Sequence, residues 1–210
     1  MTEYYSILNW DKFIETAHPL LKEWHNKEVG FIKNLSGDVL EIGCGTGRVL
    51  KVLAENCNRV VGIDKEQVMV DTAKNNSKNL SSVEIYKQDA KNLKFSDNSF
   101  DNVICIGNTF GNLGKNKIPV LLEMKRVCKN SGQIIIGVYN EKALKPRLES
   151  YEKDELTHVK ITKSGTVYSK EGLFSEQFTK NKLKNIFNKV GLKFEIVELN
   201  SISYLCICKK

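Results

Sequence analysis

Val39-Leu40-Glu41-Ile42-Gly43-Cys44-Gly45-Thr46-Gly47 is the stretch on which the reading of this chain turns. Val39, Leu40 and Ile42 read as a buried strand, and three alternating glycines read as the sharp turn leaving it. Beyond the turn, Val49, Leu50, Val52, Leu53 and Ala54 recur at helical spacing, so the segment predicts strand, glycine loop and helix. A side chain would spoil what each glycine permits, namely a left-handed turn, contact between backbone and ligand, and close packing of helix on strand.

The glycine spacing separates two classes of nucleotide site. A dinucleotide fingerprint, G-x-G-x-x-G, needs its third small residue one place later, where this chain carries Arg48. Glu41 also stands two before the first glycine. The pattern E-x-G-x-G-x-G resembles motif I of the class I methyltransferases that depend on S-adenosylmethionine (SAM). The resemblance covers residues 37–139 by motif and 177–208 by pattern. It implies an α/β, Rossmann-like fold: a seven-stranded, mostly parallel sheet with helices on both faces and an antiparallel final strand. It also implies SAM as cofactor, with Glu41, Gly43, Cys44 and Gly45 at its methionine end. Cys44 is expected to pack beside the cofactor and not to act as a nucleophile.

The downstream positions extend the same reading. Arg59–Asp64 is a second buried strand ending in an acid, and Asp64 stands seventeen residues past Gly47. That is near the offset at which a carboxylate meets a ribose, so Asp64, followed by Lys65, is assigned to the cofactor sugar. Its other reading is a cap for the helical run from Lys65 through Lys74. Val83–Lys87 is a third strand, and Asp89 and Ala90 after it resemble the family's adenine-binding positions; Asp89 could otherwise only close a turn. The fourth strand, Phe100–Gly107, runs into Asn108, Thr109 and Phe110. By resemblance Asn108 faces the glycine loop, where a carbonyl or amide can hold the methionine ammonium, Thr109 joins the cofactor contacts, and Phe110 can wall the reacting centre. The other reading makes Phe110 core and Asn108 a turn residue.

With 210 residues, 41% hydrophobic and 27% charged, the chain suits one well-buried domain. It has neither a long apolar run nor a basic-then-apolar N-terminus, so membrane spans and a secretory signal are not expected. Six scattered cysteines without a C-x-x-C pair fit a reducing cytoplasm and no metal site. The net charge of +7 is spread along the sequence, which favours a solvated surface over a nucleic-acid groove.

Before the first strand, residues 1–36 suggest two short amphipathic helices broken at His18-Pro19, resembling an N-terminal lid to which Tyr4 and Tyr5 could contribute. Residues 37–210 form the methyltransferase domain by resemblance. Within it the polar stretch 141–176, with Glu149, Tyr151, Glu152, Asp154, Glu155 and His158, is a candidate substrate lid carrying a hairpin about Ser164-Gly165. Thr179 caps a helix that Gly191 ends, and Phe194–Leu199 and Ile202–Cys208 close the sheet.

The function expected is methyl transfer from SAM to a small-molecule acceptor, with an amine ahead of oxygen. The loop after the fourth strand lacks the Asn-Pro-Pro-Tyr type and looks more like those of small-amine methyltransferases. RNA or protein methylation, a NAD-dependent oxidoreductase and a non-catalytic SAM-binding module are the alternatives. No catalytic residue is assigned. His18, His25 and His158 are the base candidates, although a lone histidine in such segments is more often an ordinary surface or core residue.

Overall fold

The computed structural model describes residues 10–153, 156 and 158–210. Tyr4, Tyr5, Asp154 and Glu155 lie outside the described residues, as does the side chain of His158. Two helices, α1 (Trp10–Thr16) and α2 (Pro19–Ile32), come first. The break falls at His18-Pro19 because proline fits the first helical turn and restricts the residue before it. His18 caps α2, its Nδ1 accepting from Leu20 N at 3.1 Å.

The chain then alternates through β1 (Asp38–Ile42), α3 (Arg48–Leu53), β2 (Arg59–Asp64), α4 (Gln67–Asn76), β3 (Val83–Lys87) and β4 (Phe100–Cys105). A single turn α5 (Thr109–Asn112), α6 (Lys117–Val127) and β5 (Cys128–Tyr139) follow. An insertion holds α7 (Leu144–Lys153), β6 (His158–Ile161), β7 (Val167–Ser169) and β8 (Phe174–Ser175). After it, α8 (Lys180–Val190), β9 (Lys193–Asn200) and β10 (Ser203–Lys209) complete the main sheet. Its seven strands are ordered β3-β2-β1-β4-β5-β10-β9. β10 runs antiparallel to both neighbours, and the remaining strands are parallel to one another. The expected sheet, with its reversed final strand, is therefore present.

Both faces of the sheet are covered, as the continuous apolar strands require. Leu40, Ile42, Val61, Ile63 and Ile136 face α6 and α8, through Val120, Leu121, Leu183 and Phe187. Val39, Val60, Ile104 and Ile135 point to the opposite face, against Ile32, Val49, Leu50 and Val70. Burying each such side chain contributes roughly 1.5–3 kcal/mol. Period-two alternation puts Glu41 on the Val39 face, towards α2, where an aliphatic residue would ordinarily sit.

Residues 141–176 contain more structure than the sequence suggested. α7 precedes a small antiparallel sheet of β6, β7 and β8, whose first two strands form the expected hairpin. Arg147 of α7 is 0% exposed. Its guanidinium donates to Gly165 O at 3.1 Å, Gln177 Oε1 at 3.0 Å and Ser175 O at 2.7 Å, and stacks on the Tyr139 ring at 4.8 Å. These contacts clasp the insertion to the end of β5. Arg147→Met should leave several buried acceptors unpaired and lower unfolding free energy by about 3 kcal/mol, read from the midpoint of urea denaturation.

Candidate functional site

The order reverses between β1 and β4, and a cavity of about 370 Å³ opens there at the carboxyl ends of the strands. Its floor is the glycine loop. Gly43 N and Cys44 N both donate to Ile63 O, at 2.8 and 2.9 Å, and Gly45 N donates to Asp64 Oδ2 at 3.1 Å. Gly45 has φ 53°, and a side chain built on it would meet nothing within 4 Å, only the cavity. Gly43 is filled from the other side: a Cβ there would lie 2.5 Å from Thr109 Cγ2. Gly45 is thus where a ligand can touch backbone, and Gly43 is where the loop after β4 closes against it.

The structure brings most of the expected residues together. Glu41, Gly43, Cys44, Gly45, Asp64, Lys65, Asp89, Ala90 and Thr109 all line the cavity. Asp64 is the hinge between floor and rim, since its second oxygen accepts from Glu66 N at 3.0 Å. It does not cap α4 directly; that position is Glu66. Asp89 both forms the turn anticipated for it, accepting from Lys91 N at 3.0 Å, and lies on the cavity rim. Cys44 is buried, and desolvation with Glu41 and Asp64 nearby pushes its thiol far up, which removes it as a nucleophile.

Two of the expected residues, Asn108 and Phe110, do not line the cavity. Asn108 is 2% exposed, and its amide points away from the cavity, donating to Ser175 Oγ at 3.2 Å and Glu176 O at 3.3 Å while accepting from Tyr139 N at 3.2 Å. It ties the loop to β8 and β5, and its backbone carbonyl accepts from Gly111 N at 2.8 Å, which favours the reading of Asn108 as a turn residue. Phe110 is 0% exposed and packs against Phe178, so it is core and walls no reacting centre. The insertion also supplies no lining residue among the described ones; the N-terminal helices do, through Phe13, Leu21, Trp24, His25 and Glu28.

Those helices bring groups that the linear motifs did not announce. Glu28 is 1% exposed and accepts from Gly107 N at 3.1 Å. Burial pushes its carboxyl up to about 8, against the opposing pull of the Gly107 N–H and Arg48. Glu41 is 4% exposed and is also pushed up to about 8 by burial, with Asp64 and Glu28 adding to the shift and Arg48 opposing it. Arg48 Nη1 lies 3.0 Å from His25 Nδ1, and burial together with that cation holds the imidazole down to about 4. Its Nδ1 is engaged, and the ring is neutral near pH 7. One sequence signal did exist for Glu28: it continues the buried stripe Leu21, Trp24, Ile32 of α2, a charge where an apolar residue belongs.

Residues 39–132 match the family model described as a methyltransferase domain. A demethylmenaquinone methyltransferase of Staphylococcus saprophyticus is 26% identical over 87% of this chain and 81% of its own length. The chain spans about half the length of others, such as the Bacillus licheniformis protein of that name, 31% identical over 54% of this chain and 50% of that one. Among solved structures, a Pyrococcus horikoshii protein covers 100% of this chain and 99% of its own at TM-score 0.75 and 24% identity. A SAM-dependent methyltransferase from Aquifex aeolicus covers 96% and 98% at TM-score 0.67 and 20% identity. The fold is that of the class I methyltransferases.

The pH dependence of the ligand-free protein follows from the two acids. A carboxyl whose pKa is higher folded than unfolded contributes stability that is present at low pH and is lost as pH rises towards the folded value. Glu28 and Glu41 should therefore make the protein less stable between pH 4.5 and about 8. His25 acts with the opposite sign in a window that overlaps the lower part of this one, its contribution falling away as pH drops from 6.5 towards about 4. Thermal melts of the Glu28→Gln variant should show a shallower decline from pH 6 to 8 than the parent.

Proposed function

We propose that this chain, which carries a class I methyltransferase domain, is a SAM-dependent methyltransferase acting on a small-molecule acceptor, with an amine as the nucleophile. The observation that carries the reading is the open side of Gly45, a bare backbone turn flanked by the Asp64 carboxylate and facing the cavity. The donor set suits SAM: two buried acids for a cationic amino acid, an acid for vicinal hydroxyls and a further acid for an exocyclic amine.

When bound, SAM supplies a methyl group already made electrophilic by its sulfonium. The chain's own residues then have to position and exclude water. Asp64 takes the ribose hydroxyls while its bond to Gly45 N keeps the floor in register. Asp89 and the backbone of Ala90 receive the adenine edge, and Gly43, Cys44, Gly45, Lys65 and Thr109 complete the cofactor wall. Phe13, Leu21, Trp24 and Tyr139 form an apolar end that excludes water, and Trp24 lies over Tyr139 with ring centroids 4.6 Å apart. Aromatic faces suit a partly cationic acceptor. α1 and α2 serve as the lid.

An amine is favoured because its free base attacks without help, whereas a hydroxyl needs a general base. His25 Nδ1 is held by Arg48, and all six cysteines are buried thiols, so neither class of side chain is poised for that role. Those thiols also suit the reducing cytoplasm as the working compartment.

Calorimetry with SAM, its demethylated product S-adenosylhomocysteine and NAD, each titrated separately, tests the cofactor. Binding of the first two and not the third is expected. Asp64→Ala should weaken SAM binding by about 1.5–3 kcal/mol, and unchanged affinity in a folded variant would remove the ribose assignment. Gly45→Val should abolish binding, since the branched side chain would enter the cavity from a left-handed position. Incubation with methyl-labelled SAM and a panel of amines and phenols should label amines.

A further inference from the structure

We infer that Glu28, reaching in from the N-terminal helix α2, joins Glu41 in a two-carboxylate clamp for the α-ammonium group of the cofactor's methionine end. The inference rests on the SAM reading and assigns a residue that no glycine-loop motif contains.

The position is decided by topology. Glu41 lies near the end of β1, in register with Ile104 of β4. Glu28 bonds Gly107 N just past the end of β4 and leans over β5, where a Cβ on Gly137 would collide with Glu28 Oε1. The two acids therefore straddle the β1/β4 crevice where the strand order reverses, beside the glycine loop and away from Asp89 at the adenine end. Gly107, like Gly45, offers open space where a side chain would stand.

The chemistry requires a small, hydrogen-bonding cation. Glu41 Oε2 is buried without a hydrogen-bond partner, and an acceptor stranded in that way is costly. Glu28 has one backbone donor and accepting capacity to spare. An ammonium brings three donors and a charge that relieves the repulsion between the carboxylates. Among the described residues no group of three or more potential metal ligands exists, so the acids suit a hydrogen-bonding cation better than a coordinated ion. With Asn108 turned into the β8 seam, Glu28 takes the role that the loop after β4 was expected to fill.

The clamp links binding to proton release. The charged or titratable groups around Glu28 are Arg48 from α3, Glu41 from β1, Cys105 from β4, Tyr139 from β5 and His25 one turn away on α2. In the free protein both acids hold protons near neutral pH. An ammonium between them favours their ionised forms, so each binding event should expel protons.

The test compares S-adenosylhomocysteine, which has the ammonium, with 5′-methylthioadenosine, which lacks the whole amino-acid end. Titrations are run in two buffers of different ionisation enthalpy. Glu28→Gln should weaken S-adenosylhomocysteine at least about tenfold, leave 5′-methylthioadenosine within about twofold, and reduce the protons released. Gly137→Ala, which crowds the carboxylate while leaving it in the chain, should reproduce the selective loss. Equal loss of both ligands, or no loss of either, overturns the clamp. Failure of the unsubstituted protein to bind either nucleoside overturns the cofactor reading itself, a different result from failure of the clamp.

Discussion

The end of β2 holds the site together. One carbonyl, that of Ile63, accepts from both Gly43 and Cys44, and the carboxylate of the next residue accepts from Gly45. Consecutive residues of the neighbouring segment are thereby fixed in a bend that ordinary side chains would resist. Everything nearby is arranged on that bend: Thr109 closes against Gly43, α3 begins at Gly47, and the open side of Gly45 faces the cavity. A loop left to find its own conformation would forfeit the preformed surface that ligand sites of this kind present.

The fold was legible because its determinants are local. Apolar runs in β1, β2 and β4, glycines at the bend, Thr179 and Gly191 at the ends of α8 and alternating apolar residues in β9 and β10 all leave their mark within a few residues. The acidic rim of the cavity was legible for the same reason, since Asp64 ends one strand and Asp89 follows closely on another. Asn108 and Phe110 had two readings, because proximity in sequence to the end of β4 does not say which way a side chain turns, and the structure favours the turn and the core. A left-handed backbone at Asn108, φ 61°, swings its amide into the β8 seam, and Phe110 two residues later meets Phe178.

The remainder of the site was out of reach for a physical reason. Trp24, His25 and Glu28 arrive from a helix that precedes the first strand, and Tyr139 arrives from the end of the fifth. Their convergence is a product of tertiary packing. A lone acid on a buried stripe was the one hint, and it is ambiguous until the opposite wall is known. α7 was hidden by composition: it is rich in charge, and its buried face is built from Pro146, Arg147, Ser150 and Tyr151.

The buried guanidinium of α7 has a consequence for the shape of the cavity. It presses on the outer face of Tyr139 while that residue also borders the cavity, and it grips the backbone at Gly165 and Ser175. The hairpin is thus a lever on an aromatic panel it never touches from within. Changes in the length or register of that outlying ribbon would reach the chamber through the Tyr139 ring, at the opposite side of the sheet order from the Asp64 and Asp89 rim.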